Sequence, residues 1–464
     1  MVYQSNDDVI LRLFAEAGSP FLLTINVIIG KLLAMLYAIA PGLPWYDVVM
    51  TGSLVVAAGV LAWAWGKRDH VWMIAFALVL LLPAFERMQF TVTAMLCACA
   101  GIALLLRDRP AFGAMLIVWG SLLRFEAAML IILLALPFVK RRRIFIACAV
   151  AVALFGVNRL VYRMTPGWED VYEINRLHVR ISEYMPESRV TPELRERLRR
   201  EVGWSANDLA LFTDWFHALY PIGEARRAAA IVDTSPSLAN AFESVRTFAV
   251  YLRWPLILIV MMWQRATGRR MLAVLAMLFA LVFILGAFTK PPPPWISLPL
   301  VACAVTLLPE APANRMRWVA LAFAAIVAVR ASRAVSVPAA LPLPKGTFAV
   351  LHGGAYPYEA NWLPFREARR KFAFVPIASS AHTPPVRRFG NIPLLLCTGD
   401  YAVLVAYPHV PRRLERYLEE HRGMRVHFDA VGPNVWRCRE APLPLLPPER
   451  RPSPAKAAGA ASGG

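Results

Sequence analysis

Charge is scarce in this chain, and acidic charge scarcest: 31 Asp and Glu stand against 50 Lys and Arg among 464 residues. Only 17% of residues are charged, where soluble globular chains carry about a quarter. Cysteine is sparse as well, with six residues and no CxxC pair, and HExxH is absent. Structural-zinc and zinc-protease signatures are thereby excluded. The eight histidines are scattered without ligand spacing and propose no metal site. Met1-Val2-Tyr3-Gln4 brings no basic n-region, so no cleavable signal is expected. No internal repeat stands out, which weighs against transporters built from repeated halves.

Apolar side chains fill the space that charge leaves, at 58% of the chain. Several mostly apolar runs reach roughly 18 residues or more, which predicts an all-α polytopic membrane protein with about 10–11 membrane helices. Residues 9–20 read as a short amphipathic helix stopped by Gly18 and Pro20. The run 21–40 is interrupted by Asn26, Gly30 and Lys31. Span candidates follow at 47–66, 71–85, 89–106, 144–162, 247–263, 271–289, 295–309 and about 317–336, together with a run at 111–139.

The net charge of +19 comes from short basic clusters between apolar runs, the pattern of cytoplasmic loops rather than of a nucleic-acid binder. The clusters are Lys67–Arg68, Arg107 with Arg109, Lys140 to Arg143, Arg265 with Arg269 and Arg270, and Arg315 with Arg317. All fall on one side if 21–40 does not fully cross and 111–139 turns back at Arg124-Phe125-Glu126. Each arm then has about 13 residues, short of a full span, and needs shelter from other helices. A rival topology makes both segments full spans and leaves two clusters outside.

This divides the chain into a transmembrane domain (1–336), a small extracytoplasmic α/β domain (343–440) and a disordered tail (441–464). The first includes a helical extracytoplasmic loop at 163–246, where Thr191-Pro192-Glu193 and Ser205 to Asp208 are helix-start signals. The α/β reading rests on strand-like runs at Thr347–Leu351 and Ala402–Ala406 together with the helical pattern of Arg412–His421. Cys397 and Cys438 can pair as a disulfide if this tail is extracytoplasmic.

Asp7 and Asp8, just before the first apolar run, are the leading candidates for chemistry. One carboxylate at a membrane interface can take a proton from an acceptor hydroxyl while its neighbour orients it or binds a cation. The bland alternative is a capped, solvated helix start. Arg124 and Glu126, in mid-run, mark either a polar cavity where Arg124 holds a phosphate oxygen or a buried structural ion pair. Lys290, ahead of four prolines and Trp295, and Arg87 are further phosphate candidates. Lipid-interface snorkelling is the alternative for Lys290. Asn175 and Arg176 either line a substrate mouth or lie on a solvated helix face.

The Ser5-Asn6-Asp7-Asp8 opening is followed by Gly18-Ser19-Pro20, Asn26, Gly30 and Leu36-Tyr37 before Pro41 and Trp45-Tyr46. With Glu173-Ile174-Asn175-Arg176 and Asp214-Trp215-Phe216, this resembles a group of largely uncharacterised bacterial multi-span envelope proteins, itself similar to the GT-C superfamily of membrane glycosyltransferases. The resemblance covers most of 5–310. It implies a polyprenyl-phosphate sugar donor, a lipid-linked or envelope glycan, lipid or protein acceptor, and action on the outer side of a bacterial inner membrane. In that family an acidic residue or pair lies in the first outer loop, matched by Asp7-Asp8, and a basic residue sits at the turn of a short hairpin, matched by Arg124. The resemblance fixes no cofactor: the paired carboxylates offer ligands for Mg²⁺ or Mn²⁺, and single-base members of such families do without a metal. The resemblance also implies a membrane helix ahead of the acidic loop, where only Met1 to Ser5 stand. Either the true start lies upstream or this member lacks that span. A flippase or exporter of lipid-linked sugars, and a non-catalytic assembly factor, are the rival functions.

Overall fold

The structure, a computed structural model, describes residues 2–3, 6–139, 141–183, 190–214, 216, 219–232, 234–261, 268–289, 294–308, 348–352, 373–377, 396–397, 402–432 and 434–440. Lys290, the 317–336 candidate span and the 441–464 tail lie outside the described residues, as do the side chains of Asp7 and Arg87. Most described residues are helical, and a small sheet lies near the C-terminus. Three helices are long and apolar enough to cross a membrane: Trp45–Trp65, Arg142–Met164 and Gly268–Phe288.

The chain opens with β1 (Val2–Tyr3), α1 (Asn6–Glu16), α2 (Val27–Ile39) and α3 (Trp45–Glu86). After β2 (Arg87–Met88), parallel to β1, come α4 (Phe90–Leu106), α5 (Pro110–Leu123), α6 (Phe125–Ala135) and α7 (Arg141–Met164). A straight helix as long as α3 would reach about 63 Å. Yet the Thr51 hydroxyl lies 3.6 Å from Met88 Sδ, while Ala64 meets Arg107 at the far end of α4. The stretch is therefore not straight, and within it Trp45–Trp65 is long and apolar enough to cross a membrane.

Helices α4 and α5 approach closely because small residues face each other. A Cβ built on Gly113 would lie 2.8 Å from the Gly101 carbonyl, and one on Gly101 2.6 Å from that of Gly113. Such small-residue seams are how apolar helices pack without a hydrophobic driving force. Helix α5 ends at Arg124, whose extended backbone (φ −159°, ψ 107°) breaks the run before α6 starts. Gly120 backs onto Ala94, whereas Cys303, the neighbour of Cys99, contacts the Ile131 carbonyl. Both arms thus run along α4 in opposite directions, as a hairpin with Arg124 at its turn.

The same geometry gathers basic side chains at the other end. Arg107 donates to the Ala64 carbonyl, Arg143 to Leu105 and Asp108, and Arg270 lies over the Phe138 ring. Helices α12 (Leu238–Met261), α13 (Gly268–Phe288) and α14 (Pro294–Leu307) complete the bundle. Trp65 Nε1 donates to Thr306 Oγ1 and the Ser237 amide to the Ala287 carbonyl, fixing their directions.

Between α7 and α12 lie α8 (Trp168–Ser182), α9 (Pro192–Glu201), α10 (Ala206–Thr213) and α11 (Ile222–Ile231). Thr191 caps α9, and Ser205 with Asp208 forms a reciprocal capping box on α10. The C-terminal part has β3 (Phe348–His352), β4 (Ala373–Ile377), β5 (Ala402–Val405), α15 (His409–Arg422), β6 (Val426–Gly432) and β7 (Val435–Glu440). Strand order is β4-β3-β5-β7-β6, with β3 parallel to β4 and β5, and β7 antiparallel to β5 and β6. This part shares an apolar core with the loop: Ile174, Trp204 and Phe212 pack in one cluster with Leu404, Leu414 and Tyr417. The Cys397–Cys438 disulfide is formed.

Candidate functional site

Helix α1 carries Asp8, Arg12 and Glu16 four residues apart, a spacing that puts all three on one face. That face is turned into the protein. Asp8 is 0% and Arg12 4% exposed, beside buried Leu11, Phe14 and Ala15. Arg12 pairs with Glu16 at 2.8 Å and with buried Asp47 of α3 at 3.3 Å. Buried charges are costly unless paired, and here one guanidinium stands between two carboxylates.

Asp8, on α1, ties that helix to α3 and α4. Its Oδ1 accepts from Tyr46 Oη at 2.8 Å and from the Phe90 amide at 3.1 Å. The Tyr46 amide in turn donates to Tyr37 Oη at 3.1 Å. Gln89 caps α4 through its side chain, so the Phe90 N–H is left at the helix start, where an anion is favoured. The sequence reading placed Asp8 facing a substrate at the bilayer edge. The structure buries it instead, because the amphipathic face of α1 docks on α3 and α4.

Arg124 reaches the same place from the hairpin. Its guanidinium lies over the Phe90 ring, 5.0 Å from the centroid. The expected partnership with Glu126 is not formed: among the described residues Glu126 makes no ion pair, and its side chain is exposed. Asn26 pins the start of α2 beside the turn. Its amide donates to the Leu122 carbonyl, its Nδ2 to the Leu154 carbonyl, and Asn158 Oδ1 accepts from Val27 N.

Aromatic rings close this end of the bundle. Phe21 stacks on Trp168 at 4.6 Å and meets Tyr162 edge-on at 5.0 Å. Asn175 is half-buried and Arg176 exposed on α8, while neighbouring Glu173 pairs with Arg226. Arg87 pairs with Val2 in the short β1–β2 sheet. Lys290 is outside the described residues.

Arg12, Tyr46 and Asp47 escaped the sequence reading. The signal for Arg12 was present in the four-residue spacing of Asp8, Arg12 and Glu16. Tyr46 and Asp47 had none, since their roles arise from helix docking. As a divalent-cation site the acidic pair fits poorly at the described oxygen: Asp8 Oδ1 already accepts two hydrogen bonds. A separate group, Asp208, Glu420 and His421, brings its ligand atoms within 4.8 Å of one another. There Asp208 accepts from Ser205 N, Tyr220 Oη and His421 Nε2, which makes it a latch between loop and tail. Burial, then the nearby Asp208 carboxylate, pushes the Tyr220 phenol well above its ordinary range.

No protein-family model matches the chain, and no curated protein or solved structure does either.

Proposed function

We propose that this protein is a polytopic glycosyltransferase of a bacterial inner membrane. It moves a sugar from a polyprenyl-phosphate donor to an envelope glycan, lipid or protein acceptor on the outer side. The observation that carries the reading is the convergence of Asp8 and Arg124 on Phe90, at the end opposite the basic cluster of Arg107, Arg143 and Arg270. By the positive-inside rule the basic end is cytoplasmic, so the Asp8 end, the loop and the tail are outside. The Cys397–Cys438 bridge suits that side.

In this reading Asp8 takes the proton of the acceptor hydroxyl as the oxygen attacks the anomeric carbon. The Tyr46 hydroxyl, already donating to Asp8 Oδ1, marks where a substrate O–H would sit once Tyr46 swings aside. Asp7, adjoining in sequence, is the alternative base. The lipid phosphate leaves from the opposite face with inversion, and Arg124, with Lys290 and Arg87 as further candidates, offsets its charge where water is scarce.

The full burial of Asp8 favours a second reading, in which it only fastens α1 to α3 and α4 and the protein moves lipid-linked sugars without breaking a bond. Membranes from a deletion strain separate the two. Wild type or an Asp7→Asn/Asp8→Asn double variant is added back, and lipid-linked and surface glycans are compared by mass spectrometry. A glycan one sugar lighter in the deletion and in the double variant, restored by wild type, supports transfer. Full restoration by the double variant supports the second reading.

A further inference from the structure

Helix α2 has 13 residues, and Lys31 is its one charged side chain. At 1.5 Å per residue it is about 20 Å long, well short of the roughly 30 Å core of a bilayer. Both of its ends are fastened at the same end of the bundle. At its start the Asn26 amide donates to the Leu122 carbonyl, beside the hairpin turn, and the Val27 amide donates to Asn158 Oδ1 at 2.8 Å. At its close Tyr37 Oη accepts from the Tyr46 amide at 3.1 Å, and the Ala40 carbonyl accepts from Trp45 Nε1 at 2.9 Å. Tyr46 belongs with Asp8 and Phe90, and Arg124 at the hairpin turn lies over the Phe90 ring. Arg107, Arg143 and Arg270 gather at the opposite end. A helix held in this way runs across the end of the bundle rather than through it.

Its two faces differ. Ile29, Leu33 and Tyr37 are buried, whereas Ile28, Lys31, Met35 and Ile39, spaced three or four residues apart, are all exposed. Ile39 is 73% and Met35 53% exposed. Apolar area of this kind is unfavourable in water. The exposed stripe continues the surface of α7, to which the start of α2 is bonded at Leu154 and Asn158. There α7 exposes Val150, Val157 and Leu160, as a helix facing lipid does. Lys31 stands inside the stripe, and among the described residues it makes no hydrogen bond or ion pair. Its methylene stem suits apolar surroundings while its ammonium reaches for polar ones. An apolar face bearing a cation, laid across the end of a membrane bundle, matches the headgroup boundary of a bilayer.

We propose that the exposed face of α2 lies in the headgroup layer of the leaflet at that end, with Lys31 paired to the phosphate of an anionic phospholipid. The buried face reaches Tyr46 through Tyr37, and Tyr46 reaches Asp8. One helix thickness, about 10 Å, therefore separates this lipid from the buried carboxylate. The placement rests on where α2 is fastened and not on the glycosyltransferase reading.

The test uses the full-length protein in vesicles of phosphatidylcholine and phosphatidylglycerol. Nitroxide labels are attached at Ile28→Cys or Ile39→Cys, on a Cys148→Ala background because the other free thiols are buried. Depth is read from collisions with oxygen and with a water-soluble nickel chelate. An upright helix would separate positions 28 and 39 by about 16 Å in depth. Both labels are expected to contact lipid, less than about 10 Å apart in depth. A separation near the upright value overturns the proposal and makes α2 part of a span. Labels met by the chelate alone, or broadened by a label on a second copy, overturn it by placing the face in water or in a dimer. For the headgroup, native mass spectrometry reads the phosphatidylglycerol retained relative to phosphatidylcholine. Lys31→Gln is expected to lower that ratio by about fivefold, and Lys31→Arg to keep it. Equal ratios for wild type and Lys31→Gln, with unchanged melting, overturn the pairing of Lys31 with an anionic lipid.

Discussion

Asp8 and Arg124, far apart in sequence, are joined through one residue: the Phe90 amide donates to Asp8 Oδ1 at 3.1 Å and the Phe90 ring carries the Arg124 guanidinium at 5.0 Å. An acid and a base are thereby held at one helix start without neutralising each other directly. In the proposed reaction, proton removal and phosphate departure need such separated, fixed partners. Phe90→Leu keeps the amide but removes the ring. It should lower transfer while leaving membrane insertion and the Asp8 hydrogen bonds intact, and Phe90→Tyr should retain activity. Turnover of a lipid-linked sugar by the two variants checks this.

Tyr46→Phe removes a donor to a fully buried carboxylate. A cost of roughly 1–3 kcal/mol is expected, because the acceptor loses a partner without regaining water. Thermal melting in detergent should show a lower midpoint. An unchanged midpoint would mean that this bond does not hold α1 in place.

Gly113→Leu tests the α4–α5 seam. Its Cβ would meet the Gly101 carbonyl at 2.8 Å, so the hairpin must move away from α4. Overpacking of this kind typically costs about 1–3 kcal/mol, and displacement of Arg124 should follow. Reduced transfer with normal membrane insertion is the expected result.

Thr191, Ser205 and Asp208 were legible because capping is local chemistry, written within four residues. The break at Arg124 was legible because charge in an apolar run is rare. The contacts along α3 show the converse, since Thr51–Met88 and Ala64–Arg107 join residues far apart in the sequence. The burial of Asp8 and the Arg12–Asp47 pair also depend on docking between distant helices. The common core of loop and tail was hidden for the same reason, since Phe212 and Leu414 meet only in three dimensions.

The loop–tail latch should be sensitive to high pH. Tyr220 donates to Asp208 at 2.9 Å, and burial followed by the Asp208 charge raises its phenol above the ordinary value of 10.0. The folded state then holds this proton more tightly than the unfolded chain. The stability involved is complete below about pH 10 and declines as pH rises beyond it. Melting of the full-length protein from about pH 8 to about pH 11 should show that decline, and Tyr220→Phe should flatten it.

The most direct measurement is sugar transfer in membranes supplied with a labelled polyprenyl-phosphate sugar pool, comparing wild type with Asp8→Asn at matched insertion. Loss of a general base predicts a fall of about 10²-fold or more in Asp8→Asn. Transfer at the wild-type rate would contradict the account and leave Asp8 as the fastening between α1, α3 and α4.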